Sequence, residues 1–161
     1  MRRFFVRTLY VKVSPDLLSV HDPETGAAIS DVPEIALSRG PGHEVVAVGR
    51  DARRHAADPS VRVLNPFAHP RSMVSDFTAG ERLLKAFLSR IKGRSLFSRS
   101  PVVVLHPLGD PEGGLTAIEV RAFREMALGA GAVKVTIWQG RSLADHELLS
   151  GHFEAGGKVL E

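Results

Sequence analysis

Hydrophobic spacing along the chain changes period several times, and each change marks an element. The stretch from Phe4 to Val13 is rich in β-branched and aromatic residues and predicts a strand. Leu17 to Val20 predicts a second strand. Asp22-Pro-Glu-Thr-Gly26 between hydrophobic runs is a turn, with Pro pre-setting φ and Gly free to take positive φ. Ala27 to Ile29 and Glu34 to Leu37 are expected to continue an antiparallel meander. Arg39-Gly-Pro-Gly42 reads as a loop, Glu44 to Val48 as a strand, and Asp51 to Ala57 as a short helix ended by Asp58-Pro59. A strand at Val61 to Leu64 leads into the irregular segment Asn65-Pro-Phe-Ala-His-Pro70.

From Leu83, apolar residues recur at Leu84, Phe87, Leu88 and Ile91, the repeat of one helical face. Thr78 and Glu81 have the spacing of a capping box for that helix, and Gly93 is expected to close it. Val102 to Leu105 is a short continuous apolar run, as in a strand buried on both faces. Thr116 and Glu119 form a second capping-box pair, opening a helix that runs to about Leu128 and stops at Gly129-Ala-Gly131. Val133 to Trp138 predicts a further strand and Ser142 the start of a last helix. The end of the chain, 154–161, carries two glycines and is expected to be loose. A meander followed by strand–helix units predicts an α/β fold, one mixed sheet with helices on its faces, in a single domain over 1–161.

Composition narrows the function classes. With 43% hydrophobic and 24% charged residues the chain can bury a real core. It has no cysteine, which excludes disulfides and thiolate metal sites. No apolar run reaches the roughly 18 residues of a membrane span, and the basic start lacks the apolar stretch of a signal peptide. A cytoplasmic protein is expected. The net charge of +3 is spread along the chain apart from Arg2-Arg3 and Arg50, Arg53, Arg54, and one Trp and one Tyr leave few stacking platforms for single-stranded nucleic acid. The seven histidines show no pair at three or four residues, the ligand spacing of a helix face, and read as surface or loop residues.

Three linked segments carry more. They are Val46-Ala-Val-Gly-Arg-Asp-Ala52, then Val61-Arg-Val-Leu-Asn-Pro66 leading to Asp76-Phe77, then Pro101-Val-Val-Val-Leu-His-Pro-Leu-Gly109. The last is followed by Glu119-Val-Arg-Ala-Phe-Arg-Glu125 and Gly129-Ala-Gly131. Together they resemble the first half of the MreB family of bacterial actin-like cell-shape proteins, from about Leu9 to Leu143. The resemblance implies an actin-like, ribonuclease-H-like subdomain, with 34–98 standing where the family carries a small outer subdomain. It also implies ATP with magnesium as the family's cofactor.

The residues at the implied phosphate turn depart from that pattern. Where the family has Asp-Leu-Gly-Thr, this chain has Lys12-Val-Ser14-Pro15. Lysine is donor-only and cannot ligate a cation, and proline removes an amide a phosphate needs. The family's second phosphate turn is expected to be missing before Glu161. Glu119 aligns with the family's water-positioning acid, making it the one weak catalytic candidate, but its spacing from Thr116 predicts a helix cap. Where the family has a Glu-Pro pair, this chain has Gln139-Gly-Arg141.

The expectation is a non-enzymatic interaction module without cofactor or metal. It would bind itself, as a homodimer, or a full-length actin-like partner. The apolar strand Val102 to Leu105 and the face of Leu83, Phe87 and Ile91 would lack the cover that a second half supplies. Two alternatives stay open, an ATP-binding half completed by another chain and a basic nucleic-acid-binding module. Arg2, Arg3, Phe4 and Phe5 mix charge and apolar bulk in a way that suits weak contact with an anionic membrane, and so a peripheral position at the inner membrane face.

Overall fold

The computed structural model describes residues 6–92 and 99–161. Arg2, Arg3, Phe4, Phe5 and Gly93 lie outside the described residues, and with them the expected membrane contact and helix stop. Among the described residues, nine strands and three α-helices run in the order β1 (Thr8–Val13), β2 (Leu18–His21), β3 (Ala28–Asp31), β4 (Ile35–Ser38), β5 (Val45–Val48), β6 (Val61–Leu64), α1 (Phe77–Lys92), β7 (Val102–Pro107), α2 (Ala117–Gly129), β8 (Lys134–Gly140), α3 (Asp145–Ser150) and β9 (Gly157–Val159). A 3-10 helix, Gly49–His55, follows β5, so the helix expected at 51–57 is real but tighter and earlier.

The main sheet has the order β3-β2-β1-β7-β8-β9. β1, β7 and β8 are parallel, whereas β2 and β3 form the antiparallel meander. One face of this sheet presents Leu9, Val11, Val103, Leu105 and Ile137 to Leu83, Leu84, Phe87 and Leu88 of α1 and to Phe123 and Met126 of α2. The opposite face presents Tyr10, Val104 and Trp138 to Leu143, Leu148 and Phe153. Both sides of Val102–Pro107 are therefore filled from within the chain, as the continuous apolar run requires. Leu83 and Phe87 are fully buried. The expectation that these surfaces would lack cover is corrected: α1 lies on the sheet and against α2, and α3 with the segment after it covers the other side.

β4 does not continue the meander. It is the central strand of a second, three-stranded antiparallel sheet, β5-β4-β6. The break has a local cause. Pro33 has no amide for a ladder, and the Asp31 carboxylate accepts the amides of Val32 and Arg50, which turns the chain out of the first sheet. Ala36, Ala52 and Val61 pack the 3-10 helix onto one side of this small sheet, while Ile35, Leu37 and Val48 join the main core.

Three further details differ from the sequence expectation. Helix α1 begins at Phe77, and its cap is Asp76, whose Oδ1 accepts the Ala79 amide at 3.0 Å, rather than Thr78. Helix α3 begins at Asp145 rather than Ser142, because Glu147 reaches back to accept the Ala144 amide at 2.8 Å. The segment expected to be loose forms β9 and pairs antiparallel with β8. Among the described residues, no helix is long and apolar enough to cross a membrane.

Candidate functional site

The carboxyl ends of β1 and β7, the β1–β2 turn and the start of α2 converge on the region the sequence singles out. Ser14, Pro15, Asp16 and Leu17 form the turn between β1 and β2. The Ser14 amide donates to the Leu17 carbonyl at 2.8 Å. The Ser14 hydroxyl accepts the Asp16 amide at 3.3 Å and the Leu17 amide at 3.0 Å. Pro15 has no amide, and its carbonyl accepts the Asn65 side-chain amide at 2.8 Å. Every N–H of the turn is thus bonded inside the turn. Serine supplies this closure because its short hydroxyl reaches the amides two and three residues on.

Lys12 lies in register with His106 on β7. Its Nζ sits 5.3 Å from the Tyr10 ring centroid, a cation–π contact. It has no carboxylate partner among the described residues. Beneath it is a buried polar chain that sequence reasoning missed. Tyr10 and His106 are 3% and 2% exposed. The Leu143 amide donates to the Tyr10 hydroxyl at 3.1 Å, and the hydroxyl sits 2.7 Å from His106 Nδ1. The His106 ring also hydrogen-bonds the Gly140 backbone; with the single N–H of a neutral ring on that carbonyl, Nδ1 accepts the Tyr10 proton. Burial pushes the His106 pKa below the ordinary histidine value, and the Lys12 charge pushes it the same way. Burial likewise raises the Tyr10 hydroxyl. His106 is therefore a neutral core histidine, which corrects the surface reading. The available signal was its place two residues after Val104, on the same face of a buried strand.

Glu119 stands at the third position of α2, and the capping box with Thr116 is complete. The Thr116 hydroxyl accepts the Glu119 amide at 3.2 Å, and Glu119 Oε2 accepts the Thr116 amide at 2.9 Å and its hydroxyl at 3.0 Å. The other oxygen has a second task. Oε1 accepts the Met73 amide at 2.9 Å and the Ser72 hydroxyl at 3.4 Å. Burial opposes ionisation, yet these four donors outweigh it and hold the carboxyl below the usual glutamate range. The contacts with residues 72 and 73 span 47 and 46 positions of sequence, and nothing in the local pattern announces them. Glu119 and Pro15 also border a cleft of about 340 Å³ walled by Phe67, His69, Arg71 and Pro111.

Gln139-Gly-Arg141, where the resemblance leads us to expect a Glu-Pro pair, has a structural part. Arg141 donates to both oxygens of the buried Glu147 carboxylate, at 2.9 and 2.5 Å. That carboxylate also accepts the amides of Ala144 and Glu154, each at 2.8 Å. The Arg141 guanidinium, followed by these amides, holds the Glu147 pKa far below normal. Among the described residues, no group of three or more His, Cys, Asp or Glu is placed to hold a metal ion.

Comparison with known proteins bears on this geometry. Residues 19–145 match the model of the MreB/Mbl protein family. The chain is 24% identical over 131 residues to the cell shape-determining protein Mbl of Bacillus subtilis, covering 81% of this chain and 38% of that one. It is 32% identical over 99 residues to the cell shape-determining protein MreB of Escherichia coli, covering 60% of this chain and 26% of that one. It thus spans well under half the length of these relatives. Among solved structures it resembles MreB5 of Spiroplasma citri bound to AMPPNP, with a TM-score of 0.64 and 19% identity over 83% of this chain and 38% of the other. It also resembles MamK in its double helical filament, with a TM-score of 0.57 and 11% identity over 81% of this chain and 40% of the other. These likenesses establish an actin-like fold.

Proposed function

Since the chain belongs to the MreB/Mbl family, we propose that it is a non-catalytic interaction module of the cell-shape cytoskeleton, one that binds itself or a longer actin-like chain. The observation that carries this reading is the closed β1–β2 turn. Phosphate recognition by such a turn uses free, converging backbone amides. Here the amides of Ser14, Asp16 and Leu17 are bonded within the turn, and Pro15 has none. Lys12 supplies no ligand for a hydrated cation. Glu119 has both oxygens engaged by protein donors, so neither is free to orient a water. The residues present do not fit Mg-ATP.

Support for a protein partner comes from the fold and from its exposed apolar residues. MamK, with the same fold, assembles into a double helical filament. On this chain Val45 and Val46 of β5 are each 43% exposed, and Ile118, at the outer start of α2, is 83% exposed. Single exposed apolar residues are ordinary. An exposed pair on an edge strand such as β5 is a more specific invitation to pairing.

The test is co-sedimentation of the purified chain with filaments of a full-length MreB-type protein, alongside light scattering of the chain alone. Saturable co-sedimentation, or a concentration-dependent dimer, is the expected result. A monomer at all concentrations that stays in the supernatant contradicts the proposal.

A further inference from the structure

Residues 141–161 are held by specific contacts. After β8 the chain makes α3, turns at Gly151, and returns so that β9 pairs with the outer edge of β8, Trp138 opposite Val159 and Gly140 opposite Gly157. Bonds outside the strand proper extend the seam. The Ile137 amide donates to the Glu161 carbonyl at 2.8 Å, the Leu160 amide to the Ile137 carbonyl at 2.9 Å, and the Arg141 amide to the Gly156 carbonyl at 3.0 Å.

Three glycines make this approach possible. A Cβ on Gly157 would run into the Trp138 ring and the Gln139 carbonyl, closer than real Cβ contacts come. A Cβ on Gly140 would meet the backbone of Gly156 and Gly157. Gly140 and Gly156 also adopt φ of 141° and 112°, which side chains disfavour. The return is fastened at its base. Arg141 Nε donates to the Ala155 carbonyl at 2.9 Å, Glu147 accepts the Glu154 amide, and Phe153 packs edge-on against Trp138 with ring centroids 5.3 Å apart.

We infer that residues 151–161 are a built-in plug: β9 occupies the hydrogen-bonding edge of β8, which a second copy of this chain would otherwise extend. An open edge is a template for pairing with another strand; without β9, the seven-residue β8 would be the edge of the main sheet, and two copies of one exposed edge can pair about a twofold axis. β9 itself is short, three residues, and exposed. It blocks the edge while adding little pairing surface of its own. The inference does not depend on the partner proposed above. It concerns which edge is closed to association, not which surface is used.

The test begins with amide hydrogen exchange on the unaltered chain. The amides of Ile137 and Arg141 should exchange at least about 100-fold more slowly than in an unstructured peptide, as seam residues do. In Gly157→Val, protection at these two amides should vanish while Val103 and Leu105 keep theirs, and self-association by analytical ultracentrifugation should strengthen at least tenfold over the parent, roughly 1.4 kcal/mol or more. Should Gly157→Val also lose protection at Val103, Leu160→Pro removes one seam donor without bulk beside Trp138, and the same readouts apply. Free exchange of Ile137 and Arg141 in the parent overturns the inference. So does a variant that loses their protection without gaining self-association, or one that keeps it.

Discussion

Replacing Glu119 by glutamine isolates what that carboxylate does. By sequence alone Gln is an acceptable partner in a capping box, and the substitution looks mild. The structure predicts otherwise. One oxygen serves the Thr116 amide and hydroxyl, and the other serves the Met73 amide and Ser72 hydroxyl. A glutamine has one carbonyl oxygen, so its NH₂ must face an amide N–H on one of the two sides. The loss is one charge-assisted set of bonds with a donor left facing a donor, on the order of 1.5–3 kcal/mol. Thr116→Ala removes only the cap and should cost about 1 kcal/mol. The order of the two variants is therefore the reverse of the sequence-based ranking. Urea unfolding measures it. With an m-value of about 2 kcal/mol per molar, Glu119→Gln should lower the midpoint by roughly 1 M and Thr116→Ala by about half that. Acid should erase the difference. The folded pKa of Glu119 is depressed, so its contribution is present above the unfolded value near 4.3 and is lost as pH falls through the folded value. A Glu119→Gln protein within a few tenths of a kcal/mol of the parent at pH 7 refutes the structural role and returns Glu119 to the list of candidates for chemistry.

Tyr10→Phe leaves the Leu143 amide and His106 Nδ1 unpaired in the core and should cost about 1–3 kcal/mol by urea unfolding. His106 titrates in the opposite sense to a histidine in an ion pair: its folded pKa is depressed, so the unfolded chain binds the extra proton. Stability should be full above about pH 6.5 and fall as pH drops below it. The groups facing it, Tyr10, Lys12 and the Gly140 carbonyl, offer no carboxylate to offset this. His106→Gln should flatten the thermal-melting profile between pH 5 and 7. An unchanged profile contradicts that assignment. Lys12→Asp restores an acid at the turn but leaves Pro15 and the bonded amides in place, so calorimetry should still detect no Mg-ATP binding. Binding gained by this one change would show that the turn is open enough after all.

Most of the fold was legible where one residue pattern admitted one solution. The 83–91 face, the Val102–Leu105 run and the Thr116–Glu119 spacing each found the expected helix, strand and cap. What failed was long-range. Glu34 to Leu37 looks like a fourth meander strand until the Asp31 side chain turns the chain into a second sheet. The glycines near the end look like flexibility, yet their lack of a Cβ is what lets β9 close on Trp138. The uncovered surface expected at Leu83 and Phe87 followed from a full-length relative, whereas this chain fills it with α2 and the sheet. At the site, Lys12, Ser14 and Pro15 were identifiable one by one. That their amides and hydroxyl close on each other depends on turn geometry, and the Tyr10–His106 pair joins residues 96 positions apart.

The central claim is that the actin-like fold here is kept without its nucleotide chemistry. Isothermal titration of the purified chain with Mg-ATP tests it most directly. The account predicts no saturable heat up to millimolar nucleotide, with or without magnesium. A saturable one-to-one isotherm that disappears on chelating the metal contradicts it.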